Sequence, residues 1–159
     1  MHKAMRSAWA TPMHGRDVAM VLCDLLRDSG GLGILISKVE DQRKDMRLDS
    51  AKVIEQSLTA NNRDFVVKEG LNPVVNFSIM RGDVHVSRVG TGILGNLFKH
   101  SEDACHKVIK LGGLDSIVDR CITSDKDTNR QCAIAFANLA MYGGVENQQR
   151  MIKKQVPAW

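Results

Sequence analysis

The stretch Gly113-Leu114-Asp115-Ser116-Ile117-Val118-Asp119-Arg120-Cys121 carries a pattern that occurs twice more in the chain. Gly-Leu pairs also stand at Gly31-Leu32 and Gly70-Leu71, so the three pairs are spaced 39 and 43 residues apart. After each leucine, apolar residues follow three and four positions later, which places them on one face of an α-helix. Three copies of one amphipathic helix indicate an internal repeat of about 40 residues.

A second element recurs with the same period. Apolar doublets stand at Phe65-Val66, Val108-Ile109 and Met151-Ile152. The first two are followed by the glycine-containing segments Lys68-Glu69-Gly70 and Lys110-Leu111-Gly112-Gly113. We expect a helix to end in each segment, with glycine in the positive-φ conformation that stops a helix.

The whole chain is predicted to be all-α. No segment shows enough alternation of polar and apolar residues for a strand, which leaves about three and a half units of three helices each. We place these units at roughly 1–30, 31–69, 70–112 and 113–159. A repeat of this length is typical of an armadillo- or HEAT-type solenoid, a superhelical stack of helices.

The order of the elements favours the armadillo type. The Gly-Leu helix is followed by a helix with an Asn-Leu pair, in Ile93–Leu97 and again in Ala135–Leu139, and this order resembles the armadillo consensus. In that family the helix with the asparagine lines a concave groove. Peptide carriers such as importin-α have tryptophan four residues before the asparagine, where this chain has Gly92 and Ile134. A reader of nuclear signals is therefore not expected, and both asparagines have the alternative role of bonding backbone locally.

Composition excludes several classes of protein. The 159 residues are 43% hydrophobic but only 4% aromatic, which disfavours a stacking platform for single-stranded nucleic acid. The net charge of +4 is mild for a protein that binds duplex phosphates, so we expect no nucleic-acid partner. No apolar run is long enough for a signal peptide or a membrane span.

The cysteines and histidines give no sign of a metal site or a disulfide. Four cysteines occur without CxxC pairing, and we expect reduced thiols in a cytoplasmic protein: Cys23, Cys105, Cys121 and Cys132. His100 and His106 are six residues apart, off the spacing that puts two ligands on one helix face, so no metal is expected. Gly143-Gly144 matches no phosphate loop and predicts a helix end.

Several motifs together resemble one family, the NAD hydrolases with sterile-alpha and TIR motifs, in their N-terminal armadillo region. The matching segments are Trp9-x-x-Pro12-x-x-Gly15-Arg16-Asp17-Val18-Ala19, Leu22-Cys23-Asp24, Gly30-Gly31-Leu32, Glu55-Gln56, Asn62-Arg63-Asp64, Phe98-Lys99-His100-Ser101-Glu102, Gly112-Gly113-Leu114-Asp115, Arg150-Met151 and Ala158-Trp159. They cover nearly the whole chain.

The resemblance implies a regulatory role. Family members join the armadillo domain to two SAM domains, which build a ring-shaped homo-oligomer, and to a TIR domain whose catalytic glutamate cleaves NAD. The SAM and TIR domains are absent from this chain, so we expect no catalysis by it. In the family, NAD in the armadillo pocket is inhibitory and nicotinamide mononucleotide displaces it to activate. The resemblance further implies a neuronal, axonal protein of axon degeneration and innate immunity, cytoplasmic with mitochondrial association.

A nucleotide needs an aromatic face, hydrogen-bonding amides and clustered cations. By resemblance, Trp9 stacks on the nicotinamide, while Arg16, Arg63 and Lys99 contact the phosphate. From the residues alone, Trp9 has the alternative of a core position and the cations that of a solvated basic face. Arg16 stands at a predicted helix start, which is a natural phosphate site.

Two further positions complete the predicted site. Gln56 is implied as a polar ligand; it lies 43 residues before Lys99, which predicts equivalent positions in successive units. Asn96 stands where vertebrate members have a histidine at the phosphate, and asparagine donates a hydrogen bond but carries no charge. Because the opposite wall of the pocket comes from later repeats of the family, we expect poor affinity in this chain alone.

The leading hypothesis is an autoinhibitory module that senses NAD and nicotinamide mononucleotide. The alternative is an armadillo scaffold that binds a protein partner in its groove and no small molecule. An enzyme in its own right has no support from any acid, base or nucleophile constellation. We also expect part of a longer solenoid, with exposed apolar residues near its end: Met151, Ile152, Val156 and Trp159.

Overall fold

The computed structural model describes residues 1–41, 43–122 and 125–156, which form eleven helices and no strand. The helices are α1 (His2–Ala10), α2 (Gly15–Asp28), α3 (Gly31–Lys38), α4 (Lys44–Ser57), α5 (Ala60–Glu69), α6 (Leu71–Ile79), α7 (Val84–Leu97), α8 (Glu102–Lys110), α9 (Gly113–Arg120), α10 (Lys126–Tyr142) and α11 (Gly144–Lys153). The chain divides into two compact units, Met1–Val74 and Val75–Trp159. Within the described ranges, no helix is long and apolar enough to cross a membrane.

The repeated Gly-Leu pairs begin helices, as predicted: α3 starts at Gly31, α6 at Leu71 and α9 at Gly113. Gly112 precedes α9 with a φ of +94°, the left-handed conformation expected of a glycine between two helices. The prediction for Gly70 is wrong, because its φ is −153°. Glycine is needed there for space instead, since a Cβ atom would lie 2.7 Å from Cγ2 of Ile36.

A buried asparagine ties together three helices of the first unit. Asn62 on α5 is wholly buried, and its side-chain amide donates to the backbone oxygens of Cys23 and Ser57 at 3.0 and 2.8 Å. Its Oδ1 accepts a hydrogen bond from the guanidinium of Arg27 at 2.9 Å. All three bonds join α5 to residues of α2 and α4. They fix the positions of these three helices relative to one another.

In the second unit, α7 packs along α10 with their asparagines turned to backbone oxygens. The amide of Asn138 donates to the oxygen of Gly95 at 2.9 Å, and that of Asn96 donates to Gly92 within α7 at 3.1 Å. Gly95 allows the close approach, because a Cβ there would lie 3.3 Å from the Cβ of Ala135. The local backbone-bonding alternative is therefore confirmed for Asn96 and wrong for Asn138, whose amide bonds the backbone of another helix.

The C-terminal part of the described chain exposes apolar surface only in part. Ile152 is 75% exposed, Val156 is half-buried and Met151 is buried. The prediction is thus confirmed for Ile152 and wrong for Met151, which packs against the chain. Trp159 lies outside the described residues.

Candidate nucleotide site

Trp9 is held by a hydrogen bond at one edge of its ring and is partly exposed. It lies one residue before the end of α1, and its indole Nε1 donates to the backbone oxygen of Gln56 at 2.9 Å. The residue is nevertheless 38% exposed, so it is not a core tryptophan. Gly15 brings α2 close beside it, because a Cβ at Gly15 would lie 2.3 Å from the oxygen of Ala8. A ring held in this way offers an aromatic face at little cost in conformational entropy.

Gln56 contributes a buried acceptor beside that indole. Its side-chain Oε1 is buried and has no hydrogen-bond partner among the described residues. A buried polar atom without a partner costs free energy, which a donor from a ligand or a water molecule would recover. Gln56 thus has an unsatisfied side-chain oxygen, while its backbone oxygen accepts the bond from the Trp9 indole.

Arg63 completes a cluster at the end of α4. Its guanidinium donates to the backbone oxygen of Leu58 at 2.9 Å, and Leu58 is the residue that follows the last residue of α4. Three of the predicted site residues, Trp9, Gln56 and Arg63, therefore gather around this helix end. The cluster combines an aromatic face, an amide and a cation, as nucleotide binding requires.

Arg16 lies at a helix start, as predicted. It is the second residue of α2, whose first turn has no side-chain cap, and it is exposed. Its guanidinium makes no hydrogen bond to the described chain, and no described hydrogen bond connects it to Trp9, Gln56 or Arg63. An uncapped helix start with an exposed guanidinium favours an anion. Arg16 belongs to the first unit, as do Trp9, Gln56 and Arg63.

Asn96 and Lys99 belong to the second unit. Asn96 is half-buried and lies one residue before the end of α7, whereas Lys99 is exposed and lies two residues beyond it. Gln56 lies one residue before the end of α4. By position in the helix Gln56 therefore corresponds to Asn96, and the prediction that Gln56 and Lys99 are equivalent is wrong because α7 ends before Lys99.

Glu55 is a titratable group that the sequence did not single out as a site residue. Burial raises the pKa of its carboxyl to about 7, and no described residue pairs with it. Its only sequence signal was its place beside Gln56 in the Glu55-Gln56 motif. The carboxyl changes charge near neutral pH, in a segment that carries the Trp9–Gln56 hydrogen bond.

The described residues hold no cluster of three potential metal ligands. Burial raises the pKa of the thiols of Cys23, Cys105 and Cys132 to about 11, which keeps them protonated and unreactive.

Comparison with known proteins gives several matches that cover nearly the whole of this chain. No protein-family model matches the chain. The NAD(+) hydrolase sarm1 of Drosophila melanogaster is 48% identical over 162 residues, which span 100% of this chain and 12% of that protein. The predicted resemblance is confirmed: the chain is similar to the SARM1-type NAD(+) hydrolases. SARM1 of Danio rerio is 37% identical over 98% of the chain and 22% of its own length, and tir-1 of Caenorhabditis elegans is 28% identical over 100% and 17%.

Solved structures confirm the armadillo fold. A designed armadillo repeat protein superposes with a TM-score of 0.77 at 16% identity, over 94% of this chain and 68% of that one. A second design, solved with the peptide (KR)4, gives a TM-score of 0.75 at 14% identity, over 97% and 70%. The chain thus spans about an eighth to a fifth of the SARM1-type relatives and has the fold of an armadillo solenoid.

Proposed function

We propose that this chain is an autoinhibitory module that senses nucleotides and controls a TIR-domain NAD hydrolase. The observation that carries the proposal is the cluster at the end of α4. There a partly exposed indole donates to the backbone of Gln56, whose side-chain oxygen is buried and has no partner among the described residues. The likeness to SARM1-type NAD(+) hydrolases over the whole chain supports it.

Each residue has a role that suits its chemistry. The free face of Trp9 stacks on the nicotinamide ring, and Oε1 of Gln56 accepts a hydrogen bond from the ligand. Arg16, Arg63 and Lys99 bind the phosphate by charge-assisted hydrogen bonds, and Asn96 adds a neutral donor.

NAD is the inhibitory ligand and nicotinamide mononucleotide the activating one. In this proposal the protein acts in the cytoplasm of neurons as a homo-oligomer, with SAM and TIR domains as the module's partners.

The control of hydrolysis tests the proposal. A ligand shifts an equilibrium only through its different affinities for the two states, so loss of inhibitory NAD binding raises basal activity. In the complete protein, Arg16→Ala and Lys99→Glu should raise basal NAD hydrolysis and remove its response to nicotinamide mononucleotide. Lys126→Glu is the matched control, an exposed lysine on α10. An unchanged response to both nucleotides in either site variant contradicts the proposal.

The scaffold function remains the second candidate. It is favoured by the similar designed armadillo protein that was solved with the peptide (KR)4. Against it, the amide of Asn138 already donates to Gly95, so it is engaged within the fold instead of being available to a peptide. Calorimetric titration of (KR)4 would show binding unaffected by nicotinamide mononucleotide if the groove acts as a peptide scaffold.

A further inference from the structure

A groove of about 650 Å³ lies in the second unit, and no residue of the predicted nucleotide site lines it. One side is α9, which contributes Ser116, Asp119 and Arg120; the other is the segment from the end of α6 to the first turn of α7, with Arg81 and Ser87. Its volume is within the range of small-molecule sites. The lining contains two arginines, two serine hydroxyls and one carboxylate. It therefore has a net positive charge and several hydrogen-bond donors.

Arg120 is a half-buried cation that makes no close ion pair with the described residues, although the charge of the neighbouring Asp119 favours its charged form. Its guanidinium donates to the backbone oxygens of Ser78 and Met80 at 2.6 and 2.9 Å, and to Oγ1 of Thr91 at 3.3 Å. All three acceptors are neutral, and no described carboxylate lies within ion-pair distance of it. Burial lowers the pKa of Arg120 because the charged form is less well solvated there. Buried charges are normally paired, so this one favours an anion in the groove.

Ser116 points to a ligand independently of that charge. The residue is only 9% exposed and lines the groove, yet its hydroxyl makes no hydrogen bond with the described residues. Its Oγ atom is not among the buried polar atoms that lack a partner in the described chain, so the hydroxyl is accessible from the groove. Ser116 therefore offers an unused donor one turn before Arg120 on the same face of α9.

Arg81 and Asp119 form the outer rim. The Arg81 side chain is 97% exposed, and its guanidinium lies 4.0 Å from the Asp119 carboxylate, the limit of an ion pair. Such an exposed pair contributes little, so Arg81 is able to turn toward a stronger anion. Asp119 carries the one negative charge of the lining and would repel that anion.

From these contacts we propose that this groove binds a phosphate monoester, with the phosphate between Arg120 and Arg81 and hydrogen bonds from Ser116 and Ser87. A tetrahedral phosphate accepts from donors in several directions, which suits four donors on two walls better than a planar carboxylate does. The site uses none of the residues of the nucleotide cluster and is independent of the proposed function.

Nitrogen-15 NMR of the chain tests the site directly, because the position of a shift tells the two sites apart. Titration with glycerol 3-phosphate, inorganic phosphate and acetate at constant ionic strength should give saturable shifts at the amides of Gly82, Gly112 and Ser116. Both phosphates should bind at least fivefold more tightly than acetate. If glycerol 3-phosphate is no tighter than inorganic phosphate, the ligand is free phosphate and the monoester assignment is wrong. Shifts confined to Trp9 and Arg16 would contradict the groove while leaving the nucleotide proposal intact.

Conservative variants separate binding from folding. Arg81→Gln and Ser116→Ala should weaken glycerol 3-phosphate roughly tenfold and threefold, whereas Asp119→Asn should tighten it severalfold because a repelling charge is removed. Arg130→Gln, an exposed arginine of α10 outside the groove, is the control and should change nothing. Equal weakening by Arg130→Gln, or weakening by Asp119→Asn, would overturn the proposal.

Discussion

At the scale of single residues, Glu55 makes the stability of the chain depend on pH. Its carboxyl has an ordinary pKa of 4.5 and a folded pKa of about 7, so the folded state keeps its proton when the unfolded state has lost it. The free energy of unfolding should therefore fall as pH rises from about 4.5 to 7, by about 2 kcal/mol. Urea unfolding across this range should show the fall in the native chain and lose most of it in Glu55→Gln. Glu40→Gln, at an exposed position, should retain it; a Glu55→Gln profile like that of the native chain would contradict the burial.

Asn62 is the residue on which the first unit most depends for polar bonding. Replacing it with alanine removes one hydrogen bond each from the oxygens of Cys23 and Ser57 and from the guanidinium of Arg27, in a wholly buried position. We expect Asn62→Ala to lower the free energy of unfolding by about 2–4 kcal/mol, measured by urea titration. The neighbouring Asn61 is exposed, and Asn61→Ala should cost less than about 0.5 kcal/mol. Equal costs at the two positions would refute this role.

At the scale of elements, Asp125 fixes the start of α10. Its carboxylate accepts from Nε and Nη2 of Arg88 and from the backbone and hydroxyl of Thr128, and these bonds hold the pKa of Asp125 well below its usual range. Because that pKa is depressed on folding, its stabilisation is present above the ordinary pKa and is lost only under strongly acidic conditions. Thermal unfolding at pH 7 should show a Tm lower by roughly 5 °C in Asp125→Ala and by less in Asp125→Asn, which keeps the cap. A Tm drop in Asp125→Asn as large as in Asp125→Ala would contradict the capping role.

The helices were predictable because the same pattern of apolar residues occurs three times in the sequence. Leu32, Ile36 and Val39 are buried and stand four and three residues apart, on one face of a helix. Periodicity alone reveals such a face. The reason for Gly70 was not predictable, since it depends on Ile36, which is distant in sequence. The equivalence of Gln56 and Lys99 failed for a related reason: unit length varies along the chain, so a fixed spacing does not fix a position in a helix.

The candidate site was predictable in part. Trp9 and Arg63 were identified through a resemblance to a family, and the structure gathers them with Gln56 at one helix end. The buried Oε1 of Gln56 and the raised pKa of Glu55 could not be predicted, because burial arises from packing among α1, α2, α4 and α5 and not from any local pattern. The same holds for the half-buried charge of Arg120 and the unused hydroxyl of Ser116.

At the scale of the whole molecule, the central claim is that an aromatic face and separate cations bind one nucleotide. Charge-assisted bonds to a phosphate contribute about 1.5–3 kcal/mol each, so single removal of Arg16, Arg63 or Lys99 should weaken nicotinamide mononucleotide roughly tenfold to a hundredfold. Trp9→Ala should cost a comparable factor through lost stacking, and it should affect nicotinamide riboside as well.

The most direct test is calorimetric titration of the complete protein with both ligands. Nicotinamide mononucleotide should bind and lose affinity in every variant, whereas nicotinamide riboside, which lacks the phosphate, should bind weakly and respond to Trp9→Ala alone. Arg130→Gln, with its exposed arginine, is the control and should leave both ligands unaffected. An affinity for nicotinamide mononucleotide that is unchanged in Trp9→Ala, or that falls equally in Arg130→Gln, would contradict the nucleotide site. The cations would then form only a solvated basic face.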